Sequence, residues 1–208
     1  LGNTLRTSDF IILYIGGGLW TIATTVPFVF LPSYARDNGI SEVAAATLVG
    51  IIGFASTAGR LGLGALADRM GIIRLYQACI LVLGLCFGAW LLGHSYGPLV
   101  VFALLMGASY GGAVTLTPAV LAELFGTQGL GLTLGTLYTS SAVGTLLGPP
   151  FVGAIIDHTG SYTLGIIFTG ATTIAAFFIL LPLGTFGPHV KNDAADRVTD
   201  MAPGSSTD

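Results

Sequence analysis

Charge is what this sequence has least of. Only 8% of its 208 residues are Asp, Glu, Lys or Arg, while 53% are hydrophobic, and the mean hydropathy is +0.85. A soluble domain carries roughly 25% charge. A surface so poor in charge needs lipid as its solvent for most of its area. The net charge of −3 comes without any basic block, which excludes nucleic acid as a partner. Cysteine is almost absent. Cys79 and Cys86 lie seven residues apart on one apolar stretch, two helical turns and about 10 Å, too far for a disulfide. They read as small buried hydrophobes. The three histidines, His94, His158 and His189, are scattered, so no metal-ligand cluster is expected. There is no nucleophile elbow, phosphate loop or His–Glu pairing, and the sequence reads as neither an enzyme nor a cofactor binder. "IGGG" (Ile15–Gly18) sits inside an apolar run and reads as close helix packing. The chain opens on Leu1 without a signal-peptide pattern, so it is expected to be a piece of a longer protein or a processed chain.

What is there is length of apolar run and glycine. A spanning helix needs about 20 apolar residues, and six segments qualify: Phe10–Tyr34, Val43–Ala67, Leu75–Gly93, Pro98–Ala122, Leu130–Ile156 and Tyr162–Gly184. Short polar stretches separate them: "ARDNGISE", "DRMGIIR", "GHSYG", "ELFGTQG" and "DHTGS". The 31 glycines fall largely inside the spans. Soluble helices avoid interior glycine, whereas membrane helices use it to bring backbones close. A β-barrel would alternate polar and apolar residues over about 10 positions, which these runs do not. The reading is an all-α membrane protein. Its six-helix bundle occupies residues 1–185, and 186–208 form a polar, disordered cytoplasmic tail.

Placing the N-terminus in the cytoplasm puts Arg6, Arg69, Arg74, Lys191 and Arg197 inside and only Arg36 outside. That satisfies the positive-inside rule and returns the C-terminus to the cytoplasm. The expected location is the plasma (inner) membrane.

The sequence also repeats. "GALADRMG" (Gly64–Gly71) returns as "GAIIDHTG" (Gly153–Gly160), 89 residues on, closing span two and then span five. The unit is then three helices, about 1–95 and 96–185. An odd number of spans inverts the second copy, which is a transporter signature.

Arg60 stands apart from this pattern. It lies eight residues before Asp68, about 12 Å up a helix and near the middle of a hydrocarbon core about 30 Å thick. Facing lipid there costs at least roughly 3 kcal/mol. At 100° per residue it shares a face with Gly53, Ser56, Thr57 and Gly64. Its planar fork fits a carboxylate through two hydrogen bonds. Asp9, Asp37, Glu42, Asp68, Glu123 and Asp157 fall at span ends. Arg60 is therefore left to a substrate anion, to a carboxylate outside this chain, or to backbone carbonyls. Tyr14, Trp20, Tyr110 and Tyr138 are candidates to line a cavity, with core packing or an interfacial belt as their other role. Pro27, Pro118, Pro149 and Pro150 are expected to kink or break helices.

Gly64-x-Leu66-Ala67-Asp68-Arg69-x-Gly71-x-x-Arg74 after an apolar span resembles the loop signature of the major facilitator superfamily. Six spans with that motif between the second and third resemble one half of its twelve-span fold. The polar tail and "GPPFVGAIIDHTGSY" are similar to the C-terminal half. "PFVFLPSYARDNGIS", the arginine of "GFASTAGR", and "AELFG" resemble the monocarboxylate transporter branch.

The resemblance implies transport of small monocarboxylates (lactate- or pyruvate-like), with proton symport, by rocking against an N-terminal six-helix half. Arg60, Ser56, Tyr14, Tyr110 and Tyr138 would contact substrate. Gly64, Asp68, Arg69, Gly71 and Arg74 would form a clasp at the cytoplasmic surface that holds the outward-facing state. The implied partners are the bilayer, a small organic anion and that N-terminal half. Ser56 stands where animal members of the branch carry aspartate, four residues before the arginine. No lysine lies between Leu130 and Ile156, so the dicarboxylate exchange of related proteins is not implied. Two other readings stay open. One is a superfamily member carrying another solute, drug- or sugar-like. The other is a membrane module that senses a ligand or binds a partner without transporting.

Overall fold

A computed structural model describes residues 7–184, the side chains of Ala65 and Asp68 apart. Arg6, His189, Lys191, Arg197 and the expected tail lie outside the described residues. Six helices follow one another: α1 (Ser8–Asp37), α2 (Glu42–Met70), α3 (Ile72–Leu91), α4 (Tyr96–Phe125), α5 (Leu130–Thr159) and α6 (Tyr162–Leu180). Each is long and apolar enough to cross a membrane. In lipid a spanning backbone must satisfy its own hydrogen bonds, and helices do so. Phe54, Leu61 and Leu146 are each more than 70% exposed; a bilayer is the environment that tolerates such a surface. The protein is an all-α integral membrane protein.

The helices alternate in direction. At one end of the bundle the Tyr162 hydroxyl of α6 donates to Asp37 Oδ2 of α1 at 2.7 Å, and Thr47 Oγ1 of α2 meets the Tyr96 hydroxyl of α4 at 2.8 Å. Tyr34, Trp90 and Tyr162 pack edge to face beside them. At the opposite end Phe10 of α1 packs against Phe125 of α4. There too, Gln77 of α3 closes α6. Its Nε2 donates to the carbonyls of Leu180 (2.7 Å) and Leu181 (3.2 Å) at the helix C-terminus, where carbonyls lack intrahelical partners; that of Leu180 also accepts from the Leu183 N–H at 3.1 Å. A Gln77→Leu protein should lose about 1–2 kcal/mol, seen as a lower melting temperature of the purified complete protein. An unchanged melt would show that water satisfies these carbonyls equally well.

The broadest interfaces are α2 with α4 and α1 with α5, followed by α3 with α4, α3 with α6 and α1 with α6. Exchanging α1–α3 for α4–α6 maps this pattern onto itself, as an inverted repeat requires. The 89-residue offset recurs in one close helix contact. It carries Gly18 to Gly107 and Ala55 to Gly144. A Cβ on Gly107 would lie 2.8 Å from the Ala55 Cβ, and one on Gly144 would strike the Gly18 carbonyl. The same offset carries Gly59, which abuts the backbone at Ala108, to Gly148, which abuts Ile22. It also carries Gly71 to Gly160, at φ +84° and +64°, each ending its helix. Positive φ favours glycine at both.

Two expectations change. Of the kinks or breaks expected at the prolines, no break occurs: α1 runs through Pro27 and Pro32, α4 through Pro118, and α5 through Pro149 and Pro150. A proline frees the carbonyl four residues back. For Pro149 that is Thr145, which accepts from Thr25 Oγ1 of α1 at 3.5 Å, so a neighbouring helix partly replaces the lost bond. The second change is in "DRMGIIR", which is not a loop. Gly71 alone separates α2 from α3.

Candidate functional site

A cavity of about 230 Å³ opens between α1, α3, α4 and α5. Helical spacing brings its walls together. Gly17, Trp20, Thr21 and Thr24 follow an i, i+3, i+4, i+7 rule on α1. Tyr110, Val114 and Thr117 keep four- and three-residue steps on α4, as Tyr138, Ser141 and Thr145 do on α5 with Leu137 beside them. Tyr76 closes the cavity from α3. Closed ligand pockets run from about 300 Å³ upward, so this space is small for a whole site.

No lining residue is charged. Three of the lining threonines have already committed their protons. Thr21 donates to the carbonyls of Gly17 and Gly18 at 2.9 Å each, Thr24 to that of Thr21 at 2.9 Å, and Thr117 to that of Ala113 at 2.8 Å. Such back-bonding is the ordinary state of a hydroxyl in an apolar helix. What they offer the cavity is acceptor lone pairs. Trp20 is different. It is 4% exposed, its ring lies 6.3 Å from that of Tyr110, and its Nε1 has no acceptor. The Tyr76 hydroxyl is the polar group that faces it.

The expected site residues divide. Tyr110 and Tyr138 line the cavity, as does Trp20. Tyr14 lies one turn below Gly17 on the same face of α1 and bonds Thr139 Oγ1 of α5 at 3.0 Å. Thr139 donates to the Thr136 carbonyl, so Tyr14 is the donor in that pair. Ser56 is buried in the α2–α4 seam, where its carbonyl meets Gly111. Arg60 is not in the cavity wall. It is exposed on α2 with Gly50, Gly53 and Thr57, and it pairs with no described side chain. Ser56 and Arg60 are 40° apart on the helical wheel, yet one is swallowed by α4 and the other is open. The hydroxyl-bearing lining residues missing from the expected set are Thr21, Thr24, Tyr76, Thr117, Ser141 and Thr145. The recurrence of hydroxyls at three- and four-residue steps was the available signal.

In the clasp motif, Arg69 is exposed on the last turn of α2, where it complements the helix dipole. Arg74 is exposed on the first turn of α3, where the dipole opposes it. Gly71 makes the turn. Gly64 is helical and has open space around it, so nothing within these helices requires it to be small. The side chain of Asp68 is not among those described.

Residues 13–205 match the sequence profile of the Major Facilitator Superfamily. The chain is 34% identical over 180 residues to Monocarboxylate transporter 12 of Rattus norvegicus, covering 85% of this chain and 37% of that protein. It is 31% identical over 209 residues to Monocarboxylate transporter 4 of Gallus gallus, covering 94% and 44%. The chain thus spans less than half the length of these relatives. Among solved structures, the human organic anion transporter MFSD10 (TETRAN) superposes with a TM-score of 0.65 at 17% identity, over 85% of this chain and 47% of that one. This last likeness shows the fold.

Proposed function

The chain belongs to the Major Facilitator Superfamily, and on that footing we propose that it is the C-terminal half of a transporter of small monocarboxylates that works by alternating access. The observation that carries the reading is a cation inside a span without a described carboxylate partner, in a chain whose relatives are monocarboxylate transporters. A fixed guanidinium in a low-dielectric setting favours a carboxylate, and a bidentate pair sets its orientation. Substrate enters between two halves and is exposed first to one side and then to the other as they rock.

The N-terminal half would supply the facing wall. Its contact surface is the stripe of small residues Gly50, Gly53 and Thr57, with Arg60, on α2, which lies beside but apart from the bulky Phe54 and Leu61. Lipid-facing positions favour bulk, and close helix contacts favour small residues. Both termini are placed in the cytoplasm, and the protein in the plasma (inner) membrane. Arg69 and Arg74, as part of the clasp, then lie at the cytoplasmic surface. Proton coupling forms part of the reading only through a carboxylate other than one at Ser56, which has none to give.

The test is uptake by the complete protein in proteoliposomes. Labelled pyruvate or lactate should enter, unlabelled monocarboxylates should compete, and sugars and cationic drugs should not. An inward proton gradient should accelerate the uptake. Competition by sugars or cationic drugs with none by carboxylates would move the protein to another solute class. Binding of pyruvate without flux would make it a sensor.

A further inference from the structure

A second cavity, of about 360 Å³, lies at the end of the bundle that carries the Tyr162–Asp37 hydrogen bond. It shares no residue with the central cavity, and Arg60 is not in its wall. The ends of α1 and α3 and the turn from α5 to α6 build it, with Tyr34, Asp37, Asn38, His94, Ser161 and Tyr162 among its polar residues.

Three of the wall's donors are spent within it. The Tyr162 hydroxyl donates to Asp37 Oδ2 at 2.7 Å, the Asn38 amide to the Tyr34 carbonyl at 2.9 Å, and the Ser161 hydroxyl to Thr163 Oγ1 at 3.1 Å. The bond from Tyr162 uses one Asp37 oxygen and leaves the lone pairs of the other. Arg36, next to it in the chain, reaches instead to Glu42 at 3.8 Å and Ser33 at 3.2 Å. With His94 counted neutral, Asp37 alone charges the wall, and the charge is negative. Beside it stand two rings. Tyr34 and Tyr162 meet edge to face, 5.4 Å between centroids. Buried Trp90 packs on Tyr34 at 5.9 Å and holds that ring in place. A carboxylate next to aromatic rings is the chemistry that recognises an ammonium, since the anion pairs its charge and the ring faces attract the carbons that share it. Helix ends are where a bilayer's headgroups lie, and Trp and Tyr mark that depth.

We infer that this cavity binds an alkylammonium group, its charge against Asp37 and its N-alkyl carbons against Tyr34 and Tyr162. Two sources present that chemistry here: the choline or ethanolamine headgroup of a membrane lipid, and a small amine in solution. Neither involves Arg60, so the inference does not rest on the carboxylate reading given above.

Thermal-shift titration of the purified complete protein in a maltoside detergent tests the site. The probes are choline, ethanolamine and 3,3-dimethylbutan-1-ol, the neutral carbon analogue of choline. Both ammonium compounds should raise the melting temperature, and choline should bind at least about tenfold more tightly than its neutral analogue. Asp37→Asn keeps an acceptor for Tyr162 but removes the charge, and should weaken choline binding at least about tenfold. The wild-type comparison is decisive even where that variant does not fold. Nanodiscs separate the two sources. With a lipid headgroup as occupant, the wild type melts higher in phosphatidylcholine than in phosphatidylglycerol discs, and added choline stabilises it only in the latter. With a soluble amine as occupant, choline stabilises it equally in both. Equal binding of choline and its neutral analogue overturns the inference, as does a choline affinity unchanged in Asp37→Asn. No shift with either ammonium compound in detergent overturns it as well.

Discussion

A Gly111→Val protein will not assemble its helices. A Cβ at this position would fall inside the Ser56 carbonyl of α2. The obstacle is backbone, which no rotamer change removes, so α2 must move away from α4 along the broadest interface in the bundle. In a membrane, helix association depends on close packing, because lipid tails solvate apolar side chains as well as other side chains do. Separation of the pair therefore costs most of what holds it, more than about 3 kcal/mol. The purified complete protein should be polydisperse in detergent and should unfold many degrees earlier. Gly88 provides the contrast. It lies within α3, exposed, with open space where a Cβ would stand. Gly88→Ala should be neutral or slightly stabilising, since alanine is the better helix former by about 1 kcal/mol. Equal effects of the two substitutions would mean that the α2–α4 seam does not hold the fold.

That contrast marks what the sequence makes legible. Hydropathy placed all six spans, because a spanning helix is bounded by polar breaks that no other element explains. The ends fall one to three residues further out in most helices, since a helix continues into the interface as long as its backbone bonds do. "DRMGIIR" misled for a physical reason. Its charges suggest a loop, but Ile72 and Ile73 can begin a helix directly, and a single glycine at positive φ suffices to turn the chain. The repeat was visible as four identical residues in register within an eight-residue stretch. Its structural meaning, Gly107 against Ala55 matched by Gly144 against Gly18, was not, because a sequence does not say which helix each glycine meets.

The site was legible in its rings and not in its hydroxyls. Trp20, Tyr110 and Tyr138 stand out as aromatic residues within spans. Thr21, Thr24 and Thr117 do not, because a threonine bonded to its own helix is compatible with any face. Ser56 shows the limit of the helical wheel. An angle locates a residue on its own helix, but whether it is open depends on how near the neighbour comes. Glycines on α4 let that neighbour come close enough to bury Ser56 and still leave Arg60 bare.

Arg60→Ala should lower uptake of the transported monocarboxylate by the complete protein on the order of 30- to 3,000-fold, as expected when one partner of a desolvated, hydrogen-bonded charge pair is removed. Arg60→Lys should lose nearly as much. It keeps the charge but replaces the planar fork by a point cation, which cannot orient a carboxylate through two parallel bonds. Loss of uptake alone does not separate a substrate contact from a structural ion pair with the other half of the transporter, and stability does. If Arg60 pairs with a protein carboxylate, its removal strands that charge and lowers the melting temperature without substrate present. If it serves the substrate, the substrate-free melt is unchanged or higher, and what disappears is the stabilisation that added monocarboxylate gives the wild type. Both variants taking up substrate at the wild-type rate would return Arg60 to the fold and leave the carboxylate to residues outside this chain.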